Sequence, residues 1–128
     1  MILDSSAVIA IVCREPGYDS LIRKVGTART VLIGAPTLAE TQLALTVKLG
    51  YDAGAIAEQF LVESEAVVVA FGREHVSDFF AAFLTYGKDR HPAGLNMGDC
   101  FTYAIAKVAG LPVLFAGQDF SQTDITSA

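Results

Sequence analysis

The chain has no tryptophan, and its 128 residues include only two cysteines, two histidines and four prolines. Cys13 and Cys100 are far apart and neither belongs to a C-x-x-C pair, which excludes a zinc knuckle and a disulfide framework. Isolated thiols of this kind are expected to be buried, in a reducing compartment. The signatures H-E-x-x-H, G-x-x-x-x-G-K, G-x-G-x-x-G and G-x-S-x-G are all absent. Zincin, P-loop, dinucleotide-binding and α/β-hydrolase chemistries therefore lack their marker. No basic segment precedes an apolar stretch at the start, and no apolar run approaches the length that spans a bilayer. No membrane association is expected, and a cytoplasmic location follows. Cationic side chains are also scarce, with nine Lys and Arg against 14 Asp and Glu, for a net charge of −5. That balance argues against gripping nucleic acid with a general basic surface, but not against reading phosphates through bound cations.

Apolar residues are plentiful: they make up 52% of the chain, and mean hydropathy is +0.46. This is high for a domain of this size, whose surface should be mostly polar, and it implies a surface for self-association or a partner. The length suits one domain over residues 1–128 with a proper core, and there are no repeats or low-complexity segments. Short apolar runs at Met1–Leu3, Val31–Ile33, Ala66–Phe71 and Val113–Phe115 read as strands. Helical spacing separates them at Tyr18–Val25, at Thr37–Leu49 before Gly50, through Ala53–Leu61 and Val76–Leu84, and from Gly98 to Ala109 before "GLP". The run Ala7–Val12 is ambiguous by periodicity, with helix favoured after a turn. The alternation predicts an α/β domain whose short, mostly parallel sheet is covered on both faces. Ligands of such sheets bind outside the carboxyl ends of the strands.

Four acids stand where that rule matters. Asp4 interrupts "MILDSSAVIAIV" directly after the first strand, and Asp119 follows the last strand in "VLFAGQDF". Glu40 lies on a helix in "APTLAETQLALTV", and Asp99 opens the final helix in "GLNMGDCFTYAIA". Each has a plain alternative. Asp4 and Asp99 suit helix caps, Thr37-x-x-Glu40 reads as a capping box, and Asp119, like Asp124, suits a turn. Ser5, Ser6 and Asn96 can cap equally well, so capping alone does not single out acids at these places. In a doubly wound sheet all four can converge on one mouth. Carboxylates so placed repel one another and take up protons unless cations neutralise them. With no His or Cys at hand, the all-oxygen donor set matches Mg²⁺ or Mn²⁺ and suggests metal-assisted phosphodiester hydrolysis.

In order, "MILDSSA", "TLAET", "AGLNMGDC" and "PVLFAGQDFSQTDI" resemble the PIN-domain ribonucleases, and more closely the VapC toxins of VapBC toxin–antitoxin pairs. The resemblance covers essentially the whole chain. It implies a PIN-like three-layer α/β/α fold and a Mg²⁺- or Mn²⁺-dependent endoribonuclease. It implies RNA as substrate, a VapB-type antitoxin as partner, and a homodimer. By this resemblance Asp4, Glu40, Asp99 and Asp119 form the acidic quartet, Asp4, Asp99 and Asp119 being metal ligands, and Ser6 supports the first acid. Asp124, in the "TDI" segment, matches a structural position. Relatives often carry an acid or Asn just before the last Asp, where this chain has Gln118, so the fourth position rests on Asp119 alone.

The one basic cluster, Lys88, Arg90 and His91 in "YGKDRHPAG", is either a solvated loop or an RNA-phosphate contact at the rim, with Lys88 and Arg90 as the candidates. The stripes Ile56, Phe60, Leu61 and Phe79, Phe80, Phe83 are either core or contact faces. His75 has no expected role. Two other functions remain open: an aspartyl-phosphate enzyme, disfavoured because Ser6 stands where a second Asp is needed, and a catalytically silent PIN-like module that only binds RNA or a partner.

Overall fold

The computed structural model describes residues 1–128. Strands and helices follow one another as β1 (Ile2–Leu3), α1 (Ser5–Val12), α2 (Tyr18–Thr27), β2 (Leu32–Gly34), α3 (Ala35–Leu49), α4 (Gly54–Ser64), β3 (Val67–Val69), α5 (Val76–Tyr86), α6 (Met97–Ala109) and β4 (Val113–Leu114). The sheet runs β3-β2-β1-β4 and is parallel throughout. Ile2 is paired with Leu32 on one side and Val113 on the other, so the first strand of the chain is an inner strand. A strand in that place has no polar face to show, which is why "MIL" is uniformly apolar.

Alternation along the strands sends successive side chains to opposite layers. Ile2 and Val113 enter a core built with Leu95, Tyr103, Ile105 and Phe120 from the α5/α6 side. Leu3, Ile33 and Leu114 enter a second core with Ala7, Val8 and Leu61 from the α1/α4 side. The outcome is the three-layer α/β/α arrangement expected from the pattern. Helix α3 touches α1, α4 and α6, and so bridges the two helical layers at the carboxyl end of the sheet. Gly50 and Gly110 end α3 and α6 with φ of 77° and 65°, a left-handed turn that glycine adopts without Cβ strain.

Two expectations need correction, and one question left open is resolved. Helix α3 begins at Ala35 with Gly34 as its N-cap and Pro36 in its first turn, so Thr37 lies inside the helix and the Thr37/Glu40 capping box does not form. Cys100 is buried, but Cys13 is only half-buried, because it follows the last turn of α1 at the margin of the small α3/α4 core. The phenylalanine stripe of α5 divides: Phe79 packs against the core, while Phe80 and Phe83 are exposed. In the other stripe, Leu61 is core and Phe60 packs at its edge. Ala7–Val12 is helical, as favoured.

Candidate active site

Asp4 sits where β1 hands over to α1. Its amide donates to the Leu114 carbonyl at 3.0 Å, the last link between β1 and the β4 end, and its side chain caps α1. Oδ2 accepts the Ser6 amide at 3.0 Å and the Ser6 hydroxyl at 2.5 Å, while Oδ1 accepts the Thr102 hydroxyl at 2.7 Å. The residue is 3% exposed. The capping reading of Asp4 is therefore correct as far as it goes, and it leaves spare capacity. A carboxylate offers about four lone-pair sites, and three hydrogen bonds are made here. Ser6 does further duty, since its Oγ accepts the Ala116 amide at 3.1 Å and ties the loop after β4 to the same carboxylate.

Glu40 projects from the second turn of α3, and its Oε1 accepts the Ser5 hydroxyl at 2.5 Å. Its carboxylate lies directly against the Cα of Gly98 in the first turn of α6, and a methyl group on that Cα would overlap it. Gly98 is thus small because an acid from another helix needs the space. Asp99 is the third residue of α6 and shares a capping box with Asn96: the Asn96 amide donates to Asp99 Oδ2 at 2.9 Å, and the Asp99 amide to Asn96 Oδ1 at 2.8 Å. Burial pushes the Asp99 carboxyl up to about 7, the Asn96 amide opposes this, and the charges of Asp4, Asp119 and Glu40 add to it. Asp119 is exposed at the head of a short 3₁₀ turn, Asp119–Gln122, which is held down by buried Phe120.

All four acids are therefore near enough for Asp99 to feel the other three. They do not close into a cage, since no three His, Cys, Asp or Glu side chains are disposed to hold an ion together as they stand. Hydroxyls and amides take up part of the negative charge instead, from Ser5, Ser6, Thr102 and Asn96. A fully oxygen donor set, with a carboxyl driven towards protonation by burial and then by its acidic neighbours, is the chemistry that a hard divalent cation relieves.

Thr102 and Ser5 were not singled out from the sequence as holders of acids, nor was Gly98. Thr102 is also 3.3 Å from the Thr37 hydroxyl, forming a buried polar link between α3 and α6. Lys88 and Arg90 lie exposed on the loop between α5 and α6, in no ion pair, with the Arg90 guanidinium 5.1 Å above the Phe83 ring. His75 is buried, accepts the Gly72 amide at 3.0 Å and stacks on Phe71, which is a packing role. Asp124 accepts the Tyr103 hydroxyl at 2.8 Å and pairs with Lys107 at 3.0 Å, so it fastens the chain's end to the back of α6. A surface groove of about 690 Å³ between α1, α2 and α4, lined by Ile22, Ile56 and Phe60 among others, contains none of the four acids.

The PIN-domain family model matches residues 1–125. Ribonuclease VapC36 of Mycobacterium tuberculosis is 42% identical over 126 residues, covering 98% of this chain and 91% of the relative. Ribonuclease VapC of Mycolicibacterium smegmatis is 35% identical over 127 residues, covering 99% and 98%. Among solved structures, Mycobacterium tuberculosis VapC20, a sarcin-ricin loop cleaving toxin, has a similar fold with a TM-score of 0.79 at 16% identity, covering 99% of this chain and 97% of that one. A chain of a toxin-antitoxin complex from Klebsiella pneumoniae aligns with a TM-score of 0.71 at 12% identity, covering 99% and 95%. With its acids gathered at the carboxyl end of a parallel sheet and a family match along nearly its whole length, the chain belongs to the PIN-domain family and, within it, to the VapC ribonucleases.

Proposed function

We propose that this protein is the toxin of a type II toxin–antitoxin pair, a divalent-metal-dependent endoribonuclease that hydrolyses RNA phosphodiester bonds, with residues 1–128 acting as one domain. The observation that carries this reading is the Asp99 carboxyl, buried beside Asp4, Glu40 and Asp119 and pushed up to about 7. Holding like charges so close is unfavourable for a fold and useful for binding a cation. Mg²⁺ or Mn²⁺ suits the donors, and Asp4, Asp99 and Asp119 would hold it. When bound, such an ion neutralises charge on a phosphate and makes a water molecule more acidic.

The chain's own residues set the geometry. Asp4 is fixed through Ser6 and Thr102, so its free lone pair has one direction. Asp99 keeps Oδ1 free while the Asn96 amide orients Oδ2. Glu40, held by the Ser5 hydroxyl, would orient water or accept its proton, and the exposed Asp119 would complete the set from the solvent side. Lys88 and Arg90 offer charge to the RNA backbone outside the acidic mouth. A VapB-type antitoxin and a homodimeric state accord with the exposed apolar side chains, such as Leu43, Val47 and Val62. Cytoplasmic residence accords with the absence of any helix long and apolar enough to cross a membrane.

The test is cleavage of a mixed RNA pool by partner-free protein in Mn²⁺, in EDTA, and as Asp99→Asn purified identically. Discrete, metal-requiring cuts that vanish in the variant are expected. Equal cleavage by variant and wild type would mark a contaminant. RNA binding without cleavage under any condition would favour a catalytically silent module.

A further inference from the structure

The first turn of α6 has two flanks. Gly98 and Asp99 face the acids, whereas Met97 and Cys100 face a separate cavity of about 430 Å³, closed on its other sides by Phe79, Phe80, Phe83 and Lys88. Residues 97 to 100 span about 4.5 Å of rise, so the two flanks share one helical turn and differ in the direction they face. The cavity is nearly all apolar in its walls, yet Phe80 is 57% exposed and Met97 68%. Two phenyl rings and a thioether left open to water beside the acidic mouth are a costly surface unless something flat and apolar covers them.

The chemistry of the rim says what that is. Lys88 stands at the edge of the cavity, and the Arg90 guanidinium stacks over Phe83 at 5.1 Å, so cations flank aromatic faces. The loop that carries them is pinned, with the Lys88 amide donating to the Leu95 carbonyl at 3.0 Å and the Leu95 amide to the Tyr86 carbonyl at 2.9 Å. Aromatic faces bordered by basic groups form the usual platform for an unstacked base of single-stranded RNA, the base stacking while the adjoining phosphate meets the cation. We propose that this cavity is a nucleobase subsite, in which Phe80, Phe83 and Met97 stack one base next to the scissile phosphate while Lys88 and Arg90 hold its phosphate. It rests on the ribonuclease reading, and it makes Phe80 and Met97 determinants of which RNA is cut rather than of whether cutting occurs.

The experiment uses the full chain in EDTA, so that binding is read without cleavage. The probe is a randomised single-stranded RNA octamer, labelled for anisotropy or carrying 5-iodouridine for photo-crosslinking. Wild type is expected to crosslink within Val76–Tyr86 or at Met97. Phe80→Ala should weaken binding about tenfold, within the range of one lost base stack, and Phe80→Trp should restore it, while a double-stranded RNA of the same length shows no dependence on residue 80. Crosslinks confined to other segments, or unchanged affinity in Phe80→Ala, would overturn the proposal and leave the nuclease reading standing. Loss of self-association in light scattering by Phe80→Ala with RNA affinity intact would assign the face to a second copy of the chain. Absence of RNA binding by wild type would count against both readings.

Discussion

Replacing Asp99 by Asn should stabilise the metal-free protein, and more so as pH rises. Asp99 has moved from an ordinary 3.8 to about 7. The unfolded chain ionises it near the ordinary value, so between the two the folded state binds more protons and stability falls with increasing pH. The contribution is fully present below about pH 4 and fully lost above about pH 7. At about 1.4 kcal/mol per decade, ionising Asp99 inside the fold costs on the order of 4 kcal/mol in total, roughly half of it between about pH 5.5 and pH 8. Solvent at the open mouth screens the acids, and halving again leaves about 1 kcal/mol over that interval. Asparagine removes the titration and still offers an oxygen to the Asn96 amide. In EDTA, the melting temperature of Asp99→Asn relative to wild type should therefore rise by about 4 °C between pH ~5.5 and pH ~8, taking the scaling for domains of this size. Calorimetry or circular dichroism at both pH values reads this directly. A gap that is constant with pH, or that shrinks as pH rises, would refute the claim that burial of Asp99 among other acids strains the site.

Mg²⁺ should reverse that ordering at pH ~8: wild type gains about 2.7 kcal/mol at a hundredfold excess over Kd, Asp99→Asn gains much less, and EDTA restores the first result. Gly98→Ala should separate folding from chemistry. Alanine favours the helix by up to about 1 kcal/mol, but its methyl group displaces the Glu40 carboxylate, so RNA cleavage should fall at least tenfold while the melting temperature holds within a few degrees. A fully active Gly98→Ala would mean that Glu40 has no part in the reaction. Thr102→Val keeps the shape and removes the hydroxyl that Asp4 and Thr37 share. Denaturant melts should show a loss of about 1–2 kcal/mol, and Mn²⁺ titration a weaker apparent affinity, since Asp4 loses one of its fixed bonds.

The parts of the site carried by strand ends and helix starts were legible in the sequence, because local rules place them. Asp4 follows an apolar triplet, Asp119 follows "VLF", and Asp99 stands three residues after a capping Asn. The links between acids and their holders were not. Ser5 meets Glu40 across 35 positions and Thr102 meets Asp4 across 98, separations at which one sequence carries no pairing signal. The start of α3 also follows from a local rule. In "GAPTLAE" a proline at the helix entrance already marks the first turn and moves Thr37 inside. Helical spacing could not tell Phe79 from Phe80, because α5 is apolar around much more than one face, and only packing against Phe71 and Phe101 sorts them.

The placement of β1 between β2 and β4 also bears on when the protein can act. During synthesis β1 has no partner on one side until residues 32 and 33 arrive, and none on the other until residues 113 and 114 do. Asp4 is anchored to the Leu114 carbonyl, and Ser6 to the Ala116 amide. A growing chain therefore carries the Asp4 carboxylate unfixed until residues 114 and 116 have been made, and contacts of such long range form late and slowly. For a nuclease that would attack RNA around its own birthplace, this is a delay written into topology: competence arrives only once β4 has been made.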